Sequence, residues 1–99
     1  MTAETLQGAD RDAALAEVTD RGWTHDPDRD AISKTFTFTD FSDAFGWMTR
    51  AAMVAEQMNH HPEWSNVYKT VEVTLTTHDV GGLSTLDIAM ASKMDRLAG

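Results

Sequence analysis

The stretch Ala55–Asp79, AEQMNHHPEWSNVYKTVEVTLTTHD, decides the fold, because a helical period ends inside it and a strand period begins. Pro62 disfavours the α conformation of the residue before it, so a helix arriving from upstream stops beside the pair His60-His61. Beyond the proline, Val67, Val71, Val73 and Leu75 alternate with Tyr68, Thr70, Glu72 and Thr74. That period of two marks half-buried strands. Gly81-Gly82 then break the strand.

Upstream, Phe41, Phe45, Met48, Ala52 and Ala55 recur at spacings of four and three, with Trp47, Ala51, Val54 and Met58 as a second stripe beside them. The spacing predicts a helix from the cap Asp40 to about Asn59. A helix apolar over so much of its surface needs covering on more than one side, and we expect another subunit to supply one cover. Before it, a strand around Trp23 and a strand with Ile32, Phe36 and Phe38 opposite Ser33, Thr35 and Thr37 flank the polar turn DPDRD, residues 26–30. Ala13, Ala14, Leu15 and Val18 give a short amphipathic helix over about Asp10–Arg21, closed by Gly22. Residues 1–9 are expected to be a flexible terminus outside a single domain spanning 10–99.

Downstream, Ser84 with Asp87 three residues on forms a capping box, and Leu83 with Ile88 fits a hydrophobic staple. Met90, Met94 and Leu97 supply the buried stripe of that last helix. The expected fold is α+β: a four-stranded antiparallel sheet with three helices packed on one face, in the order α-β-β-α-β-β-α. The exposed edges and face of such a sheet are a second reason to expect a homodimer or homotetramer.

Composition narrows the function. Ninety-nine residues, 41% hydrophobic and 24% charged, make one ordinary globular domain. No run of about twenty apolar residues offers a membrane span, and no basic-then-apolar leader is seen. The absence of cysteine excludes disulfides and thiolate chemistry, so a cytoplasmic chain is expected. With a net charge of -8 and eight scattered Lys and Arg, the chain is a poor partner for nucleic acid. A neutral heterocycle is easier to accommodate.

Of four histidines, His60, His61 and His78 share one stretch, while His25 in the hairpin region receives no role. Histidine titrates near neutral pH, which suits proton transfer or metal ligation. A metal site is disfavoured, because adjacent histidines diverge and no Asp or Glu sits at a completing spacing. The plain alternative is a polar loop that happens to contain histidines. Against it, His60-His61 leave a helix end and His78 leaves a strand end. The partial negative charge of the last helix carbonyls favours a nearby imidazolium by about 0.3–1 kcal/mol, which inclines His60 toward donating a proton. Glu56, one turn earlier, would reinforce this or orient the ring. Trp64 and Tyr68 are read as bracing residues, and Asp87 is read first as a helix cap.

The string E-x-x-x-H-H-P-x-W-x-x-V-Y (Glu56, His60, His61, Pro62, Trp64, Val67, Tyr68), followed by T-H-x-x-x-G-L-S-x-x-D (Thr77, His78, Gly82, Leu83, Ser84, Asp87), resembles the pterin-4a-carbinolamine dehydratase family, also known for dimerisation-cofactor members. Gly22-Trp23 and FTFTDFSDAFGWMTR (Phe36–Arg50) are similar as well, so the resemblance spans about Leu15–Leu97. Asn59 stands where several members carry an acid.

The resemblance implies a hydro-lyase that removes water from 4a-hydroxytetrahydropterin to give quinonoid dihydropterin, recycling a tetrahydrobiopterin-type cofactor. It implies no metal and no further cofactor. The catalytic residues would be His60, His61 and His78. His60 and His78 would act as acids toward the hydroxyl, and His61 would orient the pterin and help move its proton. Asn59, Thr76, Thr77 and Asp79 would line the pterin site with them, supported by Glu56, Trp23 and Asp87. The competing implication is a non-enzymatic dimerising scaffold, an assembly or transcription cofactor for a partner protein. A zinc hydrolase is the third reading.

Overall fold

In a computed structural model that describes residues 3–99, helix α1 (Gly8–Asp20) precedes a hairpin of β1 (Thr24–Asp26) and β2 (Ala31–Thr37). Helix α2 (Phe41–Met58), strands β3 (Glu63–Val67) and β4 (Thr70–Leu75), a 3-10 turn at His78–Val80 and helix α3 (Thr85–Ala98) follow. The expected order holds. The strands pair antiparallel in the order β1-β2-β4-β3.

Alternation explains which face is covered. Ile32 and Phe36 of β2 and Val71, Val73 and Leu75 of β4 are buried with the inward residues of the helices. The opposite face carries Ser33, Thr35, Glu72 and Thr74, where the Ser33 and Thr74 hydroxyls lie 3.0 Å apart. Val67 departs from the expected pattern. It lies 77% exposed, because the two-residue turn at Tyr68-Lys69, with Tyr68 at φ 53°, shifts the alternation between the two strands. In β3 it is Trp64, opposite Val73, that meets the core.

Helix α2 starts where the Asp40 carboxylate accepts the Asp43 N–H at 2.9 Å. Of its two apolar stripes, the one through Trp47, Ala51 and Met58 is buried, whereas Phe41 and Phe45 remain 47% and 55% exposed. Trp47 packs on Phe36 at 4.5 Å between centroids and donates its indole N–H to the Met94 carbonyl at 3.1 Å. Truncating such a ring to alanine costs about 3–5 kcal/mol. The helix ends on Asn59, which adopts the left-handed conformation at φ 52°, rather than on Pro62. The His60 N–H then closes the turn on the Ala55 carbonyl at 3.0 Å.

The capping box of α3 forms as expected, and Gly22, at φ 97°, follows α1. Helix α1 begins at Gly8, and residues 4–6 lie along the α3 start: Thr5 bridges Ser84, Leu6 is buried, and the Glu4 carbonyl accepts the Thr85 N–H at 2.9 Å. Residues 1 and 2 of the segment expected to be flexible fall outside the described residues. No helix among the described residues is long and apolar enough to cross a membrane.

Candidate active site

The start of β3 and the end of β4 are neighbours in an antiparallel pair, so His60-His61 and His78 arrive at the same end of the sheet. The reversal at Asn59 separates the adjacent histidines. The His60 side chain turns inward and is 9% exposed, while His61 faces out at 57%.

His60 Nε2 lies 2.6 Å from Asp87 Oδ1. Asp87 is fully buried, and its second oxygen accepts the Ser84 N–H at 2.9 Å and the Thr77 hydroxyl at 2.8 Å. The Ser84 hydroxyl stands 2.7 Å from Thr77 Oγ1 and accepts the Leu86 N–H at 3.2 Å. A carboxylate only accepts, so His60 presents Nε2–H to it, and this fixes the tautomer of the neutral ring. Nδ1 makes no hydrogen bond among the described residues. No fully buried side-chain nitrogen or oxygen there lacks a partner, so Nδ1 is not fully enclosed, and His60 is one of the residues lining the hollow.

Glu56 was expected beside His60, but its Oε1 lies 2.8 Å from His61 Nε2. One helical turn brings Glu56 level with the outward ring; the inward ring has Asp87 instead. Asp87 is therefore a cap and a histidine partner at once. The signal was present in principle, since a capping carboxylate uses one oxygen and leaves the other free. His78 opens the 3-10 turn, 84% exposed, with its Nε2 3.7 Å from Glu63 Oε2. Two hydrogen bonds from Arg29, at 2.9 and 3.1 Å, hold the Glu63 carboxyl below its ordinary range.

A hollow of about 290 Å³ is lined by Asn59, His60, His61, Thr76, Thr77, His78 and Asp79. A larger one, about 780 Å³ beside Thr37, Arg50 and Leu97, contains no histidine, and size alone does not select it. Thr77 has committed its hydroxyl to Asp87 and its backbone to Gly82, and the Thr76 hydroxyl donates to the Asp30 carbonyl at 3.0 Å. Asn59 and Asp79 have side chains with no hydrogen bond among the described residues. Trp23 is placed elsewhere, in the core, edge-on to Phe36 at 5.9 Å and donating to Asp95 at 3.0 Å. Among the described residues no three His, Cys, Asp or Glu side chains group closely enough to hold a metal ion.

Fold and hollow define a small α+β protein with a histidine cluster at one end of its sheet. Comparison with known proteins gives that class a family. The family model for pterin 4 alpha carbinolamine dehydratase matches residues 4–97. A protein of Jannaschia sp. (strain CCS1), provisionally named a pterin-4-alpha-carbinolamine dehydratase, is 66% identical over 96 residues, covering 97% of this chain and 98% of its own. A protein of Dinoroseobacter shibae with the same provisional name is 62% identical, covering 97% and 99%. A crystal structure from Brucella melitensis, described as a transcriptional coactivator/pterin dehydratase, matches with a TM-score of 0.88 at 46% identity, over 97% of this chain and 100% of that one. A pterin dehydratase-like protein described as a RuBisCO assembly factor in the alpha-carboxysome shares the fold, with a TM-score of 0.69 at 23% identity over 79% and 90%. The chain belongs to the pterin 4 alpha carbinolamine dehydratase family.

Proposed function

We propose that this chain is a dehydratase that eliminates water from 4a-hydroxytetrahydropterin, giving quinonoid dihydropterin and so recycling a tetrahydrobiopterin-type cofactor. The observation that carries the reading is one hollow lined by His60, His61 and His78, with His60 locked on the buried Asp87. The ring nitrogen beside C4a supplies the lone pair that expels the hydroxyl. A proton delivered by histidine lets that hydroxyl leave as water. A second histidine takes the ring N–H proton released by the cation, so one proton is given and one is returned.

His60 works through Nδ1, because Nε2 is held by Asp87, an arrangement that orients an imidazole in other acid–base sites. Once protonated at both nitrogens, with Nε2–H kept on Asp87, its ring presents Nδ1–H to the hydroxyl from the floor of the hollow. His78 approaches from the exposed rim, and a single proton passes to the leaving group. His61, held by Glu56, orients the pterin and accepts the ring proton. Asn59 and Asp79 have free polar atoms for the amide and amino edge of the pterin. The hydroxyl protons of Thr76 and Thr77 are already donated, so toward a substrate these side chains act as acceptors only. We propose that it is a homo-oligomer, on the strength of the uncovered Phe41 and Phe45 on α2, and that it works in the cytoplasm, which rests only on the cysteine-free composition.

The test is the rate of quinonoid dihydropterin formation from freshly generated carbinolamine, in wild type and in the His60, His61 and His78 alanine variants. The reaction also runs without enzyme, so acceleration over the buffer rate is the quantity compared. Equal rates for all four proteins would refute the assignment. The second reading, a scaffold for a partner protein, draws on the coactivator description of the Brucella relative. It expects no pterin turnover in wild type and unchanged partner binding in His61→Ala.

A further inference from the structure

The segment between Thr76 and Leu83 carries His78 and Asp79, yet its 3-10 turn buries no side chain. Apolar packing therefore does not hold the turn itself, although Leu83 at the end of the segment is seated in the core. Its base is closed by a bridge between Thr77 and Gly82, with N–H···O distances of 2.9 and 3.2 Å. Just outside that bridge, both ends of the segment attach to the same residue. The Thr76 hydroxyl donates to the Asp30 carbonyl at 3.0 Å, and the Leu83 N–H donates to Asp30 Oδ2 at 3.0 Å. Asp30 sits in the β1–β2 turn at φ 52°, a conformation that Asp adopts more readily than most residues.

Its carboxylate is itself held. Arg11 engages both oxygens, and His25 Nε2 lies 2.8 Å from Oδ1. The Arg11 hydrogen bond, with smaller help from His25 and the Leu83 amide, outweighs burial and keeps this carboxyl well below the usual range. A Cβ built on Gly82 would stand 3.1 Å from Asp30 Cβ and Cγ, so the acid lies flat against the loop backbone and leaves room only for glycine there. On the other side of the same turn, Arg29 holds the Glu63 carboxylate that faces His78.

We propose that Asp30 is a positioning residue: it clasps both ends of the His78 loop and so sets His78 and Asp79 across the hollow from His60. This deepens the dehydratase reading and rests on it. Asp30 does not line the hollow, so it acts through the loop and not on substrate. A catalytic group misplaced by about 1 Å loses up to about a hundredfold in rate, which sets the scale of the effect.

The experiment compares wild type, Asp30→Ala, Asp30→Asn and, as a control in the same turn, Asp28→Ala. Two readouts are taken: amide hydrogen exchange at Gly82 and Leu83 against the buried amides of α2, and kcat and KM for carbinolamine dehydration. Asp30→Ala should speed exchange at Gly82 and Leu83 by about tenfold or more while the α2 amides hold. It should lower kcat by about tenfold to a hundredfold with a much smaller change in KM. Asp30→Asn retains an oxygen acceptor for the Leu83 amide and a residue suited to the turn, so it should recover most of both. Asp28→Ala should resemble wild type. Unchanged exchange at Gly82 and Leu83 in Asp30→Ala overturns the clasp, and so does faster exchange with unchanged kcat. Should Asp30→Ala not fold, Arg11→Met, which frees the carboxylate but keeps the turn, carries the same expectations at smaller amplitude and the same refutations. If wild type shows no turnover, the dehydratase reading fails and the exchange data still decide whether Asp30 holds the loop.

Discussion

His60 and Asp87, 27 residues apart in the chain, meet at 2.6 Å between ring nitrogen and carboxylate oxygen. One buried side chain thus starts helix α3 with Oδ2 and holds a histidine of the hollow with Oδ1. Stability and proposed catalysis share a residue here, which makes their separation by mutation informative.

Asp87→Asn keeps the shape but turns one acceptor into a donor against the Ser84 amide, the Thr77 hydroxyl or the His60 ring. An unfolding free energy lower by about 1–3 kcal/mol is expected, from one buried donor left unsatisfied. Asp87→Ala should cost more, about 3–5 kcal/mol, because the buried partners are stranded together. Urea denaturation at neutral pH measures both. Losses below half a kilocalorie would mean that the network is not intact in solution.

The alanine variants of His60 and His78 should separate in kind. His78 is exposed, so His78→Ala should leave stability within about 0.5 kcal/mol. Its dehydration rate should nevertheless fall toward the buffer rate, general acid or base groups being worth about 10²–10⁴-fold. His60→Ala should lower both, since it empties a buried site and leaves Asp87 without a partner. Denaturation midpoints set beside initial rates give the comparison.

Acid should destabilise the fold through Asp30 and Asp95. Burial would raise the Asp95 carboxyl, but hydrogen bonds from Lys34, Arg21 and Trp23 outweigh it and leave it below its usual value. Both groups have folded values below their unfolded ones, near about 3.9. The unfolded chain therefore binds more protons in that region. Their stabilisation is present above the unfolded value and is lost as pH falls toward the folded ones. Thermal midpoints should hold from neutrality to about pH 5 and then decline, with a shallower decline in Asp95→Asn. A decline of equal steepness in that variant would remove Asp95 from the account. Glu63, half exposed beside Arg29, should add little.

The rings of Phe41 and Phe45 lie 5.6 Å apart, tilted by 37°, on the outer side of α2, and Met53 on the same helix is 63% exposed. If a second copy covers this face, the double variant Phe41→Ser, Phe45→Ser should sediment as a smaller species with an unchanged fold by circular dichroism. Wild type that sediments as a monomer at high micromolar concentration would defeat the expected association.

Local signals were readable. Asp40, the Trp47 stripe of α2 and the Ser84–Asp87 box each lie within a few residues of what they control and form as the chain order implies, while Phe41 and Phe45 of the other stripe stay exposed. The alternation of β4 read correctly for the same reason, but Val67 did not. Its parity depends on how many residues the turn at Tyr68 consumes, a backbone property that the residue type conceals. Of the seven residues lining the hollow, the three histidines were legible in the chain itself and Asn59, Thr76, Thr77 and Asp79 only through the family resemblance, while which histidine Glu56 and Asp87 would hold was not legible. Glu56 pairs with the outward histidine and not the inward one, because the left-handed Asn59 lies between them. Asp30 and His25 were invisible to pattern reading. In a turn spelled DPDRD, a partly buried carboxylate held by an arginine of helix α1 looks like any solvated charge.

Asn59 has a consequence that reaches past helix geometry. Its φ of 52° admits few residues without strain, chiefly glycine, asparagine and aspartate. The same position forms part of the wall around the histidines. Of the three residues that the backbone tolerates, two carry a side-chain oxygen, and only one of those is charged. The choice between a neutral and an acidic neighbour for the substrate is thus reduced to a single atom, amide nitrogen or carboxylate oxygen. Evolution can make that exchange in one step without moving the helix.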